Sequence, residues 1–314
     1  MQTLRLPLGA WIEAFVDFLG DTFGWFFDAV AVALGTVYDG LAWLLVTPPF
    51  WMIIAVFAAL AFWVKGAKLA LGTALGLLLI VLVDQWDNAM DTLALVLVAS
   101  AIATAISVPV GIWAAGNEHV SRAVRPVLDF LQTMPAFVYL IPAIIFFGVG
   151  AVPGMIATIL FALAPGVRLT ELGIRGVDQE VVEAGHAFGA SPARILRQIQ
   201  LPLARPSIMA GVNQIIMLSL SMVVIAGIVG AGGLGGEITR AIGRINVGLG
   251  FEAGISIVII AMILDRLTSA FATPTGPRSR RRGVAAASQD GEGSDDGSTR
   301  SATAPAPGVP AGTA

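Results

Sequence analysis

The stretch TLALVLVASAIATAISVPVGIWAA, residues 92–115, contains no charged side chain. With a rise of about 1.5 Å per residue, a helix of this length crosses the hydrocarbon core of a bilayer, which is about 30 Å thick. Of the 314 residues, 56% are apolar and 12% are charged, which is about half the charged share of a soluble domain. The stretch and the composition together predict an all-α, polytopic transmembrane helical bundle.

Other apolar segments lie on both sides of this stretch and bring the prediction to about seven spans. The two predicted spans within 47–88 would be accessory transmembrane helices. The predicted spans are 50–64, 67–83, 92–115, 127–148, 153–167, 208–230 and 250–271.

The two ends of the chain differ from the apolar middle. Residues 1–46 place aromatic side chains at helical spacing between acidic ones, which predicts an amphipathic helix on the membrane or on the protein's own flank. Residues 273–314 are rich in Ala, Gly, Ser, Thr and Pro. Such a composition cannot form a packed core and predicts a disordered cytoplasmic tail. The N-terminus shows no pattern of a cleaved signal peptide.

Basic residues alternate between successive connections. Connections near Lys65, Arg122, Arg175 and Arg280 are basic, whereas the connection at 84–91 is acidic. Because Lys and Arg accumulate on the cytoplasmic side, seven spans place the N-terminus outside and the C-terminus in the cytoplasm. The predicted location is the cell inner (cytoplasmic) membrane.

The longest cytoplasmic connection contains EAGHAFGASPARILRQIQLPLARP, residues 183–206. Asp178 is suited to cap a first helix, and Gly189 to end it in the left-handed conformation. Pro192 suits the first turn of a second helix, and we expect Pro202 to end that helix. The hairpin either rests on the bundle or docks into the groove of a partner.

Within that stretch, the spacing of Glu, Ala, two glycines and an Ile-x-Leu-Pro ending resembles the EAA loop of ABC importer permeases. This loop would span 178–205 within a type I permease core at 89–272. Gly185 departs from the family pattern, which more often has alanine there. The resemblance implies docking of a separate ATPase by Glu183, Ala184, Gly185, Gly189, Ile199, Leu201 and Pro202.

Two longer stretches, 128–177 and 201–235, resemble permeases of the glycine betaine/proline betaine (quaternary amine) uptake group. The resemblance implies the transmembrane permease subunit of an ATP-driven importer, present as a homodimer. Its partners would be a cytoplasmic ABC ATPase, which binds ATP-Mg, and an extracytoplasmic substrate-binding protein. Choline and carnitine remain open as alternative cargoes.

Several chemistries are absent from the sequence. It has no G-x-x-x-x-G-K-[ST] phosphate loop, so we expect no cofactor in this chain and no enzyme activity of its own. The absence of cysteine and the isolation of His119 and His186 leave no expected metal site. Few ionisable residues lie inside the spans, which argues against an ion-coupled secondary transporter, the less favoured alternative.

Polar side chains within two predicted spans are candidates for the translocation path. In membranes, such side chains more often hydrogen-bond within the protein than line a cavity, and both interpretations stay open. The candidates are Ser100, Thr104, Ser107, Asn213, Gln214, Ser219 and Ser221.

Overall fold

The computed structural model describes residues 7–272, which form α-helices joined by short turns and contain no strand. The predicted disordered tail at 273–314 lies outside the described residues. A π-helical turn at Leu196–Gln200 connects α9 to α10. The helices are α1 Leu8–Val46, α2 Phe50–Lys65, α3 Ala67–Leu82, α4 Trp86–Gly116, α5 Glu118–Thr133, α6 Ala136–Phe147, α7 Ala151–Arg175, α8 Gln179–Ala187, α9 Pro192–Ile195, α10 Leu201–Ile228, α11 Gly233–Arg244 and α12 Val247–Ala272.

The centre of the bundle consists of α4, α7 and α10, and small residues line their contacts. A Cβ atom at Gly111 of α4 would lie 2.6 Å from Cβ of Thr170 on α7. A Cβ atom at Gly154 of α7 would lie 2.7 Å from Cβ of Ala226 on α10. Helices in membranes associate through such close approach, because lipid tails are as apolar as the side chains they compete with. The all-α transmembrane bundle is therefore confirmed.

The bundle has two ends, and each is defined by contacts between helix termini. On the end that we call the hairpin face, Arg175 Nη2 at the end of α7 donates to the carbonyl of Ala114 near the end of α4, at 2.9 Å. On the opposite face, the Gly150 N–H before α7 donates to the Val229 carbonyl after α10, at 3.0 Å. Helix α12 also ends on the hairpin face. Lys65 at the end of α2 lies there too, because it contacts Ser269 near the end of α12.

The middle of helix α1 contacts the opposite face. Its Phe27 ring stacks on Phe146 at the end of α6, with ring centroids 4.3 Å apart. A Cβ atom at Gly35 would lie 3.8 Å from Cγ2 of Val152 at the start of α7. Successive parts of α1 therefore touch helix ends on one face of the bundle. The extracytoplasmic side of this segment stays a prediction.

By length and composition, five helices of the described residues can cross a membrane, or six if the bent pair α5–α6 counts as one span. This differs from the predicted count in two places. Helix α1 is long and apolar enough to be included, although the sequence predicts a surface helix. Helices α2 and α3 have 16 residues each, which corresponds to about 24 Å and is shorter than the hydrocarbon core.

The span predicted at 127–148 is not one straight helix, because the chain bends by 97° between α5 and α6. Proline disfavours the helical conformation of the residue before it, and Met134 before Pro135 is extended, with ψ 136°. The Tyr139 hydroxyl contacts the carbonyls of Leu131 and Met134 and so satisfies backbone groups at the break. The axes of α5 and of the apolar α6 are therefore nearly perpendicular.

Candidate coupling hairpin and transmembrane polar residues

The hairpin begins directly after α7, at the N-terminus of α8. The Asp178 side chain accepts a hydrogen bond from the Glu180 N–H at 3.0 Å. This bond satisfies one of the backbone donors that the first turn of a helix leaves unpaired. The predicted N-cap is confirmed.

Helix α8 ends at Ala187, and Gly189 two residues later stops it, as the sequence predicts. Gly189 has φ +77°, a left-handed conformation that glycine adopts without steric cost. The Ala190 N–H donates to the Gly185 carbonyl at 3.1 Å, and the Gly189 N–H donates to the His186 carbonyl at 2.9 Å. These two bonds form a Schellman motif, which satisfies the last carbonyls of the helix and sets the direction of the chain.

The second arm of the hairpin continues into α10 without a break, so the predicted end at Leu201-Pro202 was wrong. The Leu201 N–H bonds to the Leu196 carbonyl five residues earlier, across the π-helical turn. Proline normally clashes with the carbonyl four residues before it, and the wider turn gives Pro202 the room it needs. The arm and α10 together form one helical rod, Pro192–Ile228.

The two arms touch at Gly185. A Cβ atom there would lie 2.8 Å from Cδ1 of Ile199 and 3.3 Å from Cγ1 of Ile195. Ile195 is buried, with 3% of its surface exposed. Glycine instead of alanine therefore lets the arms approach closely, and this explains the departure from the family pattern.

The base of the hairpin sits on an apolar cluster at the hairpin face. Ile174 lies in the last turn of α7, Val177 follows the end of α7, and Ala204 lies in the first turn of α10; all three are buried. Val182 of α8 and Leu201 of α10 pack against this cluster. Burial on both arms holds the hairpin to the ends of α7 and α10.

The outer side of the hairpin faces solvent, and we call Glu183, Ala184 and Phe188 the hairpin tip. The Phe188 side chain is 91% exposed, and Glu183 and Ala184 are exposed as well. Within residues 7–272, Glu183 forms no ion pair. The exposed ring and the unpaired carboxylate of the hairpin tip are accessible for contact with another molecule.

A buried glutamate next to the hairpin was missed in the sequence. Glu171 of α7 accepts hydrogen bonds from Ser121 Oγ at 2.7 Å and Arg125 Nη2 at 3.3 Å, and it pairs with Arg175 Nε at 3.1 Å. Arg175 also pairs with Glu118 at 2.8 Å. This cluster joins α5 to α7 beside the hairpin, and the i,i+4 spacing of Glu171 and Arg175 was the one sequence signal for it.

The residues predicted for the translocation path fall into different environments. Ser100, Ser107 and Ser219 are buried, and each hydroxyl bonds to a carbonyl of its own helix. Gln214 and Ser221 are exposed one above the other on α10, and Thr104 is partly buried. The remaining candidate, Asn213 of α10, hydrogen-bonds to α12. The structure therefore does not bring these seven residues together.

Comparison with known proteins agrees with this architecture. Residues 107–281 match the family model described as "Binding-protein-dependent transport system inner membrane component". The chain is 49% identical over 264 residues to the glycine betaine transport system permease protein OpuAB of Bacillus subtilis (strain 168), with 84% of this chain and 94% of that protein covered. It is 50% identical over 270 residues to the glycine betaine/carnitine transport permease protein GbuB of Listeria monocytogenes serotype 1/2a (strain 10403S), with 85% and 95% covered.

A solved structure of the MetNI methionine ABC transporter in inward-facing conformations shares the fold. The TM-score is 0.54 at 23% sequence identity, and the likeness covers 59% of this chain and 94% of the other. The predicted resemblance is confirmed, and the alternative of an ion-coupled secondary transporter is set aside. The chain belongs to the family of binding-protein-dependent transport system inner membrane components, which are permease subunits of ABC importers.

Proposed function

We propose that this chain is the transmembrane permease subunit of an ATP-driven importer for glycine betaine and proline betaine. The two relatives above, each similar over more than four fifths of this chain, are both named for glycine betaine. One of them is also named for carnitine, so carnitine is the alternative cargo that an experiment has to separate. Choline is a further alternative of the same chemical class.

The observation that carries the proposal is the shape of the hairpin. Its exposed tip is mounted on two arms that meet at Gly185, and the second arm is continuous with α10. A force on the tip therefore moves a helix that runs through the bundle. Such a connection lets the nucleotide state of a partner bias which side of the bundle is open.

The proposal assigns a partner to each face of the bundle. A separate ATPase, with ATP-Mg bound to it, contacts the hairpin face through the 178–205 segment, and the chain itself holds no cofactor. The substrate-binding protein contacts the opposite face, and two copies of the permease enclose the path. The hairpin face is then cytoplasmic, with the N-terminus outside and the C-terminus inside.

The exposed side of α10 is the proposed lining of the path. Gln214 and Ser221 lie on it, seven residues apart, together with Leu203 and Ile228. An exposed amide at membrane depth is costly in contact with lipid. Water or a second copy of the chain would supply the polar surroundings that Gln214 needs. The buried serines of α4 and α10 stabilise the helix packing instead.

Crosslinking tests the position of the ATPase. The chain contains no cysteine, so Ala184→Cys creates a unique thiol at the hairpin tip. We expect a reagent with one thiol-reactive end and one photoreactive end to capture the ATPase subunit from this position in intact cells. Gly243→Cys, exposed on α11 at the opposite face, is the control and should capture none. Failure of the Ala184→Cys variant to capture an ATPase, with the protein present in the membrane, would refute the docking.

Uptake measurements test the cargo. Cells that depend on this importer should accumulate labelled glycine betaine, and excess unlabelled proline betaine should compete for the uptake. Carnitine or choline that competes better than proline betaine would reassign the cargo while leaving the permease function intact. An ionophore should not abolish uptake while ATP is available.

A further inference from the structure

Helices α10 and α12 are joined by side-chain hydrogen bonds near the hairpin face. Asn213 Nδ2 of α10 donates to Asp265 Oδ1 of α12 at 3.0 Å. Thr268 Oγ1, on the next turn of α12, lies 2.6 Å from Asn213 Oδ1 and 2.7 Å from the Leu264 carbonyl of its own helix, so its one proton is shared between these two acceptors. The Asn213 amide therefore uses both of its ends on the same neighbouring helix, and we call the three residues the α10–α12 clamp.

The clamp differs from the other polar contacts of these spans. The hydroxyls of Ser219 and Ser256 bond to carbonyls of their own helices, so they do not join neighbouring helices. Apolar contact alone gives little resistance to sliding in a membrane, because lipid offers each helix an equally apolar surface. Directional hydrogen bonds resist such sliding, and Asn213 therefore sets the register of α12 on α10.

The carboxylate of Asp265 stabilises the clamp, because it needs a hydrogen-bond donor. It lies inside an apolar helix that can cross a membrane, and it forms no ion pair with any residue in the 7–272 range. A carboxylate at that depth is costly unless a donor satisfies it. Separation from the Asn213 amide would remove that donor, so the two helices gain by staying together.

The clamp also lies on the path that a hairpin movement takes. Asn213 belongs to the same rod, Pro192–Ile228, whose first turns form the second arm of the hairpin. One turn beyond Asp265, Ser269 Oγ accepts a hydrogen bond from Lys65 Nζ of α2 at 3.1 Å. A displacement of the rod is thus passed to α12 and from there to α2, which lies outside the segment that matches the family model.

We propose that Asn213 is a positioning residue for transport, which makes α12 follow α10 when the ATPase moves the hairpin. The inference rests on the proposed function. Without the clamp, the hairpin and α10 still respond to ATP while α12 lags behind, so ATP is hydrolysed with less substrate carried. A purely structural role for Asn213 would change the stability of the complex and leave the ratio of hydrolysis to uptake alone.

Two sets of variants separate these roles. Asn213→Leu keeps a side chain of similar size and removes both interhelical bonds. Asn213→Asp combined with Asp265→Asn exchanges donor and acceptor, so the new amide at 265 donates to the carboxylate at 213 while Thr268 still donates to it. Asp265→Asn alone keeps an oxygen that accepts from Asn213, and we expect it to retain coupling.

The measurement uses the complete complex with its ATPase and binding protein in proteoliposomes, with labelled glycine betaine as the probe. We expect Asn213→Leu to raise the ATP hydrolysed per glycine betaine carried by about threefold. This is the effect of one interhelical hydrogen bond in a membrane, because the Thr268 hydroxyl keeps the Leu264 carbonyl as an acceptor. The exchanged pair should return the ratio to that of the wild type. Thr36→Ala, which removes a hydrogen bond within α1, is the control and should leave it unchanged.

Two results would overturn the clamp. One is an Asn213→Leu complex that couples as the wild type does. The other is an exchanged pair that has wild-type thermal stability but stays uncoupled. If instead the wild-type complex carries no glycine betaine at the expense of ATP, the proposed function fails and the clamp fails with it. The wild-type ratio therefore tells the two failures apart.

Discussion

Helices α8 and α11 end in the same way on opposite faces of the bundle, but with different residues. At the end of α8, Gly189 has φ +77°, and at the end of α11, Ile245 has φ +53°. The Asn246 N–H donates to the Ala241 carbonyl at 2.9 Å, which repeats the bond that Ala190 makes to Gly185. Both ends are therefore Schellman motifs, although only one carries the residue that suits the left-handed conformation.

The isoleucine is strained, since the left-handed conformation costs a residue with a side chain roughly 1–2 kcal/mol, and a β-branched one is a clear outlier. The short connection between α11 and α12 restricts the backbone conformation of Ile245. The next residue, Asn246, already caps α12 by accepting from the Leu249 N–H at 3.2 Å. Two residues must therefore end one helix and start another, which teaches that a tight connection can impose a conformation that its sequence disfavours.

The largest effect on stability is expected where α11 packs against α10. A Cβ atom at Gly227 would lie 2.6 Å from the backbone nitrogen of Gly236, and backbone cannot move aside as a side chain does. Gly227→Ala should lower the free energy of unfolding by about 3 kcal/mol through overpacking, seen as a lower thermal unfolding temperature in detergent. Gly236→Ala, with nothing within 4 Å of its Cβ, is the control. Equal unfolding temperatures for the two variants would contradict this packing.

The next effect is expected at the hairpin. Gly189→Val places a β-branched residue in the left-handed conformation and should disrupt the turn, because the strain costs roughly 1–2 kcal/mol. We expect the ATP hydrolysed per glycine betaine carried to rise by about tenfold, the factor that corresponds to about 1.4 kcal/mol. Gly189→Asn tolerates this conformation and should stay coupled. Uncoupling by both variants to the same extent would show that strain is not the cause.

A smaller effect of opposite sign is expected at the outer turn. Ile245→Asn should relieve strain and raise the free energy of unfolding by about 1 kcal/mol, since asparagine tolerates the left-handed conformation. In a chain of this size the unfolding temperature should rise by about 2–4 °C. Val247→Asn, at a similarly exposed residue without positive φ, should give no rise. An unchanged temperature for Ile245→Asn would mean that the turn is not strained.

The smallest effect is expected at Gly185. Alanine gains about 1 kcal/mol of helix propensity, but its Cβ would press on Cδ1 of Ile199 at 2.8 Å, so Gly185→Ala should leave stability almost unchanged. Ile199→Val removes that Cδ1 atom. In the Ile199→Val background, Gly185→Ala should therefore stabilise the protein by about 1 kcal/mol in thermal unfolding. The same small change in both backgrounds would rule out the contact.

Local features of the hairpin could be predicted because they depend on neighbouring residues. Asp178 as N-cap and Gly189 as the end of α8 follow from backbone chemistry within one turn. The continuation past Pro202 could not be predicted in this way, because it requires a π-helical turn that relieves the proline. The contact between Gly185 and Ile199 could not be predicted either, because it depends on the angle between the two arms of the hairpin.

Amino-acid order alone determined that this protein is a helical membrane bundle, where most apolar segments lie and which stretch resembles a coupling hairpin. Those properties depend on hydropathy and on chemistry between close neighbours in the chain. Only the tertiary structure decided that Glu171 meets Ser121 and Arg125, that Asn213 meets Asp265, and that Ile245 is strained. The reason is that a polar side chain in a helix has several candidate partners, and helix packing selects the one within hydrogen-bonding distance.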